Sequence, residues 1–539
     1  MRYSTFLFGF LFILLFAGEN IHAQVIPGNA PADTSQRVQV LNYTQRLTFK
    51  TIDDSTKLTI IVGDVKLRQG NTLFYCDSCV INNRENVFEA WGKQVHINDS
   101  DTTDVYANHL RYLMVKKIAY LDGNTKLTDG KAILTTPDLE YDMETNIGVY
   151  KNGGKVVNKK TVLTSREGWY YADLKDVYFK RDVILKDPAY NIVTDSLLYN
   201  TITQTTRFIS QTTIVDSGGR TIHTKEGFYN QQTGQAEFGQ RPNIYDSKKK
   251  LTIVGDRISQ SDSIYRVEGN GVINDSLQGT TIMGGSIFQN KKTDAVLATK
   301  RPLMIVKQNK DSIYITADTL FSARLVDKFG RDSLVVDSVS GVAVASVATA
   351  DSTLRYFEAY SHVRIFNDSL QAVCDSMFYS FKDSVFRLFK DPVVWAQQNQ
   401  VTGDTILLFT KNKKAHKVEA FENGFMVNQL NAQAFNQVKS SRIDGWFLDG
   451  SIDSVRAKGF AECIYYIQDD DSAFTGINES KSDLIDIYFA EKALDRVVFR
   501  SAVTGTLWPI KQKSPDEMRL GNFRWLDERR PKTKYEMFE

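Results

Sequence analysis

From Leu58 to Ile97, apolar and polar residues alternate in short runs that break at Gly, Asp and Asn. Val65 and Leu67 alternate with Lys66 and Arg68; Val183 and Leu185 alternate with Ile184 and Lys186. Successive side chains on a strand point to opposite faces, so this pattern predicts strands with one face buried. No unit carries a helical stripe. Two such strands joined by Asn, Asp and Gly turns form a hairpin-like rung, and the rung recurs. Aligned on an acidic or Asn position, the copies centre on Asp77, Asn108, Asp138, Glu167, Asp195, Glu226 and Asp256. The steps are 31, 30, 29, 28, 31 and 30 residues. Later copies centre on Asp318, Asp375, Asp404, Asp444 and Asp483, with wider gaps. A fixed period near thirty residues predicts a repeat architecture. One rung cannot bury its apolar face alone, whereas stacked rungs can. About thirteen units of two rungs, at ~4.8 Å per rung, predict an all-β, solenoid-like rod on the order of 120 Å long.

The repeat divides the chain of 539 residues. Residues 1–23 read as a secretory signal: Arg2, an apolar run from Phe6 to Ala17, and Ile21-His22-Ala23 before Gln24. The run is too short for a membrane span, and no Cys follows it to take a lipid. The expectation is a protein exported and left soluble, with an uncleaved anchor as the alternative. Residues 24–41 read as a flexible leader, 42–323 as the first series of repeats, and 324–353 as an insertion. Residues 354–430 resume the repeat, 431–509 carry divergent copies, and 510–539 read as a loosely ordered polar tail.

Two curved sheets facing each other would enclose an apolar trough. The candidates for its lining are Val65, Leu67, Val95, Ile97, Val183, Leu185, Leu303, Ile305, Val363, Ile365, Phe425 and Val427. Periodicity alone leaves two possibilities open, a filled core and an open groove. The recurring acid is placed near strand ends, where Asp satisfies backbone donors in turns.

Composition narrows the chemistry. The net charge is +2, which gives no electrostatic signature of nucleic-acid binding. The six His are scattered, and neither a nucleophile turn nor a zinc-protease helix is present. No enzyme activity, cofactor or metal is expected. Asp469-Asp470-Asp471 reads as a solvated loop. Cys76-x-x-Cys79 lies in a strand-like run where i and i+3 point to opposite faces, so it reads as two small apolar residues. A local disulfide is the alternative in an oxidising compartment.

Gly63-Asp64-Val65-Lys66-Leu67, Thr194-Asp195-Ser196-Leu197-Leu198-Tyr199, Gly269-Asn270-Gly271-Val272-Ile273 and Ala317-Asp318-Thr319-Leu320-Phe321 together resemble the OstA-like family, also described as the periplasmic LPS-transport protein A family. The resemblance runs from Asn42 to Leu430 and more weakly to Trp508. It implies a β-jellyroll, or β-taco, rod in the periplasm that binds lipopolysaccharide acyl chains in its trough. It also implies head-to-tail self-association and partners at the inner and outer membranes. This chain is several times longer than small family members and shows no C-terminal barrel pattern. A scaffold with a filled core and no lipid, and a β-helical polysaccharide-degrading enzyme, are the competing classes. A packed interior favours the first and a cleft with paired catalytic groups the second.

Overall fold

The computed structural model describes residues 38–99, 103–307, 312–329, 335–336, 343–344, 354–411, 414–448, 450–469, 471, 473–490 and 493–538. The expected signal sequence and most of the leader lie outside the described residues. Among the described residues, forty strands join into one antiparallel sheet.

Each long strand is creased near its middle. Lys57–Gln69 pairs residues 58–62 with 78–82 and residues 65–69 with 72–76, with a bulge between. Asp176–Lys186 pairs residues 176–180 with 196–200 and residues 183–186 with 191–194. Elsewhere the crease splits the strand in two, as between Thr161–Ser165 and Glu167–Tyr171. The halves on either side of the crease build two facing walls. Every repeat therefore adds two strands to each wall.

Consecutive residues with positive φ make many of the creases: Gly63 and Asp64 at 91° and 43°, Arg181 and Asp182 at 63° and 52°, Gly269 and Asn270 at 70° and 45°. One extra residue in a paired strand bends it and raises its twist. Gly63 is required twice over, since a Cβ there would meet Thr44 Oγ1 at 2.6 Å.

The recurring acid sits at these creases: in mid-strand at Asp77, Asn108, Asp138 and Asp195, and at or beside a strand end, as the sequence placed it, where the crease splits the strand, as at Glu167, Glu226, Asp256 and Asp318. There it catches a donor from the next bulge. Asp77 Oδ2 accepts the Lys93 N–H at 2.8 Å, Asp138 Oδ1 accepts Asn152 Nδ2 at 3.0 Å, and Asp256 Oδ2 accepts Asn270 Nδ2 at 3.0 Å. Lys390 pairs with Asp375 at 3.1 Å and His362 with Asp318 at 2.9 Å. Asp444 departs from the series. Ser441 holds the crease there, its Oγ donating to the Gly459 carbonyl at 3.3 Å. Asp444 is buried three residues further on, bonded by Arg442 at 2.7 Å and Lys458 at 3.1 Å.

The crease also shifts the alternation, which corrects the expectation for Cys76 and Cys79. With Asp77 and Ser78 turning between them, both face the interior, one on each wall, both buried and unbridged. The Cys76 thiol is pushed well up, first by its hydrogen bond with Cys79 and then by burial.

Two segments, the end of the leader and the tail, differ from expectation. The last residues of the leader are a strand, Gln39–Asn42, paired with residues 66–68, because the first creased strand offers it a free edge. The insertion opens with a short helix, Leu325–Phe329, and pairs Val335–Val336 with Ala343–Val344; most of its other residues lie outside the described ones. The polar tail is a strap across one wall. Its Met518 and Leu520 are buried with Phe425, Val427, Phe435 and Ile464, while Leu526 covers Val373, Val393 and Trp395. Strands here are apolar on both faces, as at Val393–Ala396, and such faces need cover. Two buried glutamines fasten the strap. Gln400 donates to the Arg524 carbonyl at 2.8 Å and accepts the Leu526 N–H at 2.7 Å. Gln437 does the same with the Met518 carbonyl and the Leu520 N–H, both at 2.9 Å.

Candidate functional site

Between the walls runs one continuous cluster of buried apolar side chains, from Ile61 through Phe179 and Ile315 to Ile487. Of the lining candidates, Val65, Leu67, Val95, Ile97, Val183, Leu185, Val363 and Ile365 belong to it. Leu303 and Ile305 do not. Met304 and Val306 point inward in their place, and the sequence could not set the phase of an all-apolar run. Phe425 and Val427 also face outward, beneath the strap, and Met426 takes the interior position.

Opposite the creases, the rims of the two walls meet, and a column of tyrosines laces them. Tyr112, Tyr141, Tyr170, Tyr199 and Tyr229 stand near the ends of strands of one wall, 29, 29, 29 and 30 residues apart. They share one cross-strand row: Tyr112 and Tyr141 both pair with Ala119, Tyr141 and Tyr170 with Gly148, Tyr170 and Tyr199 with Val177. The first four reach partners on the opposite rim. Tyr112 donates to Gln69 at 2.6 Å, Tyr141 to Asp99 at 3.0 Å and Tyr170 to Asp129 at 3.2 Å; Asn158 donates to the Tyr199 hydroxyl at 3.3 Å. Burial pushes all four hydroxyls up, that of Tyr199 to about 12, so they stay protonated. Each bond spans 41 to 43 residues of chain, which is why no local pattern announced it. The 29-residue recurrence of Tyr was the available signal.

The latch joins the walls by side chains alone. Its rupture leaves both backbone ladders intact. Tyr141→Phe removes a donor from the buried Asp99, which keeps Thr72 at 2.8 Å. The expected cost is ~1–3 kcal/mol in urea unfolding, against under about 0.5 kcal/mol for Tyr120→Phe on the solvent face.

Asp129 makes the latch acid-sensitive. Burial raises its carboxyl, but donors from Ala132, Lys131, Thr201 and Tyr170 outweigh burial and hold it below the usual value. A depressed folded value stabilises fully above the unfolded pKa of about 4, and the gain is lost as pH falls through the folded value. Denaturation at pH 7 and pH ~3 should therefore show a loss on acidification that Asp129→Asn reduces.

Toward the C-terminus a small apolar cleft of about 20 Å³ lies between the walls. Met426, Val438 and Cys463 line it from one wall, Ile487, Phe489 and Leu494 from the other. Among the described residues no group of three His, Cys, Asp or Glu side chains could hold a metal ion. No helix there is long and apolar enough to cross a membrane.

Two creased walls, laced at the mouth around a continuous apolar interior, define the architecture of a β-jellyroll rod. Residues 36–195 match the family described as OstA-like protein. The match is shorter than the resemblance read from the sequence, yet the creased repeat continues to Thr504–Pro509. A similar solved structure is that of LptH from Pseudomonas aeruginosa, described as the LptA-homologous periplasmic component of its lipopolysaccharide transport device. It is 20% identical and covers 22% of this chain and 84% of its own, with a TM-score of 0.19. No curated protein matches the chain.

Proposed function

We propose that this chain is a non-catalytic periplasmic carrier in lipopolysaccharide transport, holding acyl chains between its two walls. The observation that carries the reading is the apolar interior shared by two walls whose mouth is closed by side-chain hydrogen bonds. Lipid passage through water needs a continuous apolar path, and walls held by a latch can part without losing their strands. The OstA-like match supports the cargo class. The ends support a bridge. Among the described residues, Gln39–Asn42 and Arg46–Thr51 pair only with the first creased strand, and Ala493–Arg500 and Thr504–Pro509 only with the last. Open edges of this kind recruit further strands, and head-to-tail pairing extends a filament toward both membranes.

A filled scaffold is the second reading, favoured by the close burial of Val65, Leu67 and Val183. Solvent extraction and mass spectrometry of the protein purified from periplasm separate the two. The carrier reading expects bound lipopolysaccharide, increased in a Tyr141→Phe, Tyr170→Phe double variant. Lipid-free protein in both forms would support the scaffold.

A further inference from the structure

The tyrosine row does not continue unchanged. Its next members after Tyr229 are Gln260, paired with Ala236 and Tyr265, and Gln289, paired with Tyr265 and Val296. The side-chain oxygens of both glutamines are buried without a hydrogen-bond partner, as is the hydroxyl of Thr206 between Tyr199 and Tyr229. Buried acceptors of this kind are rare in a closed structure and call for a donor. Tyr229 itself packs edge-on against Tyr190 at 4.7 Å.

Where the latch lapses, the walls enclose a cleft of about 180 Å³. Ile192, Phe208, Ile214 and Phe238 form its depth; Gln260 and Arg220 stand at its rim. Arg220 is bound to Asp216 and reaches the Tyr265 hydroxyl. Lys291 lies 4.2 Å from the Tyr265 ring and donates to the Ser261 carbonyl at 2.6 Å. Its amine is pushed down to about 8, first by burial and then by Arg220, with Asp262 and Asp216 acting the other way. No carboxylate forms an ion pair with it among the described residues.

We propose that the interval from Tyr229 to Gln289 is a lateral portal for an acylated amphiphile whose head carries hydroxyl donors and an anionic group. The chain lies in the cleft among Ile192, Phe208 and Phe238. Head hydroxyls donate to Gln260 and Gln289, and the anion meets Lys291. Arg220, already paired with Asp216, positions Tyr265 beneath it. The proposal rests on the reading of the interior as a lipid groove and says where cargo enters from the side.

Diazirine amino acids at Phe238, in the portal, and at Val497, beside the C-terminal cleft, test it in the full chain. The probes are lauroyl lysophosphatidylglycerol, anionic with head hydroxyls, and lauroyl lysophosphatidylcholine, zwitterionic without them. The expected result is labelling at Phe238 that favours the glycerol lipid by about tenfold. Q260Y with Q289Y restores the tyrosine row and abolishes labelling at Phe238 while sparing Val497. Q260M with Q289M, closer in volume, keeps the portal open and removes the head preference, as does K291A; this pair decides the matter if the tyrosine variant misfolds. Labelling at Val497 alone, or a preference indifferent to the glutamine and lysine changes, would overturn the portal and leave the groove. Silence at both positions would overturn both. Inorganic phosphate protecting Lys291 from acylation, without lipid labelling, would mark a free-anion site and likewise overturn the portal.

Discussion

A chain ending at residue 510 is expected to lose most of its cooperative stability. The strap from Lys511 onward covers Val373, Val393, Trp395, Phe425, Val427 and Phe435 on the outer face of the wall. Re-exposing each such side chain costs ~1.5–3 kcal/mol, so the gross loss is on the order of 10 kcal/mol. That is comparable with the whole stability of many domains, about 5–15 kcal/mol. Gln400 and Gln437, both almost wholly buried, would each lose two backbone partners as well. The truncated chain should melt well below the full one and bind a dye for exposed apolar surface. Trp395→Ala in the full chain should cost ~3–5 kcal/mol by the same route. The strap also carries a salt test. Arg524 and Arg529 pair with Asp391 at 3.1 and 2.5 Å on a partly exposed surface, a contact that high salt weakens. An unchanged melting temperature after truncation would mean the strap lies on a wall that does not need it.

The second large effect is a contrast between neighbours. Val183 is 0% exposed between the walls, whereas Ile184 is 38% exposed on the outside. Val183→Glu puts an unpaired carboxylate in the apolar interior; it should cost several kcal/mol or force the group to stay protonated. Ile184→Glu should move stability by less than about 0.5 kcal/mol. Urea unfolding of the two variants measures the difference. Similar curves would mean that water already reaches Val183, and that the interior is open in the resting protein.

These residues show how much the chain announces. The alternation at Val183-Ile184-Leu185-Lys186 fixes which face is inside, and the thirty-residue recurrence of Asp and Asn marks the creases. Alternation fails where both faces are apolar. In Leu303-Met304-Ile305-Val306 and Phe425-Met426-Val427 nothing polar sets the phase, so the assignment fell one residue out. The second of those runs also announced a cover, since an outward Phe425 and Val427 need one. The cover was hidden in a charged tail whose Met518, Leu520, Phe523 and Trp525 are spaced among polar residues. The latch escaped for a different reason. Tyr141 and Tyr170 lie in recognisable strands, but their role depends on Asp99 and Asp129 across the mouth, a pairing created only when the creased strands stack.

The most direct test of the central claim is photocrosslinking in cells, with a small diazirine residue placed at Val183 inside and at Ile305 and Lys66 outside. The account predicts light-dependent lipopolysaccharide adducts at Val183 and none at Ile305 or Lys66. Silence at all three positions in folded, abundant protein, or adducts equal at all three, would contradict a lipid path between the walls.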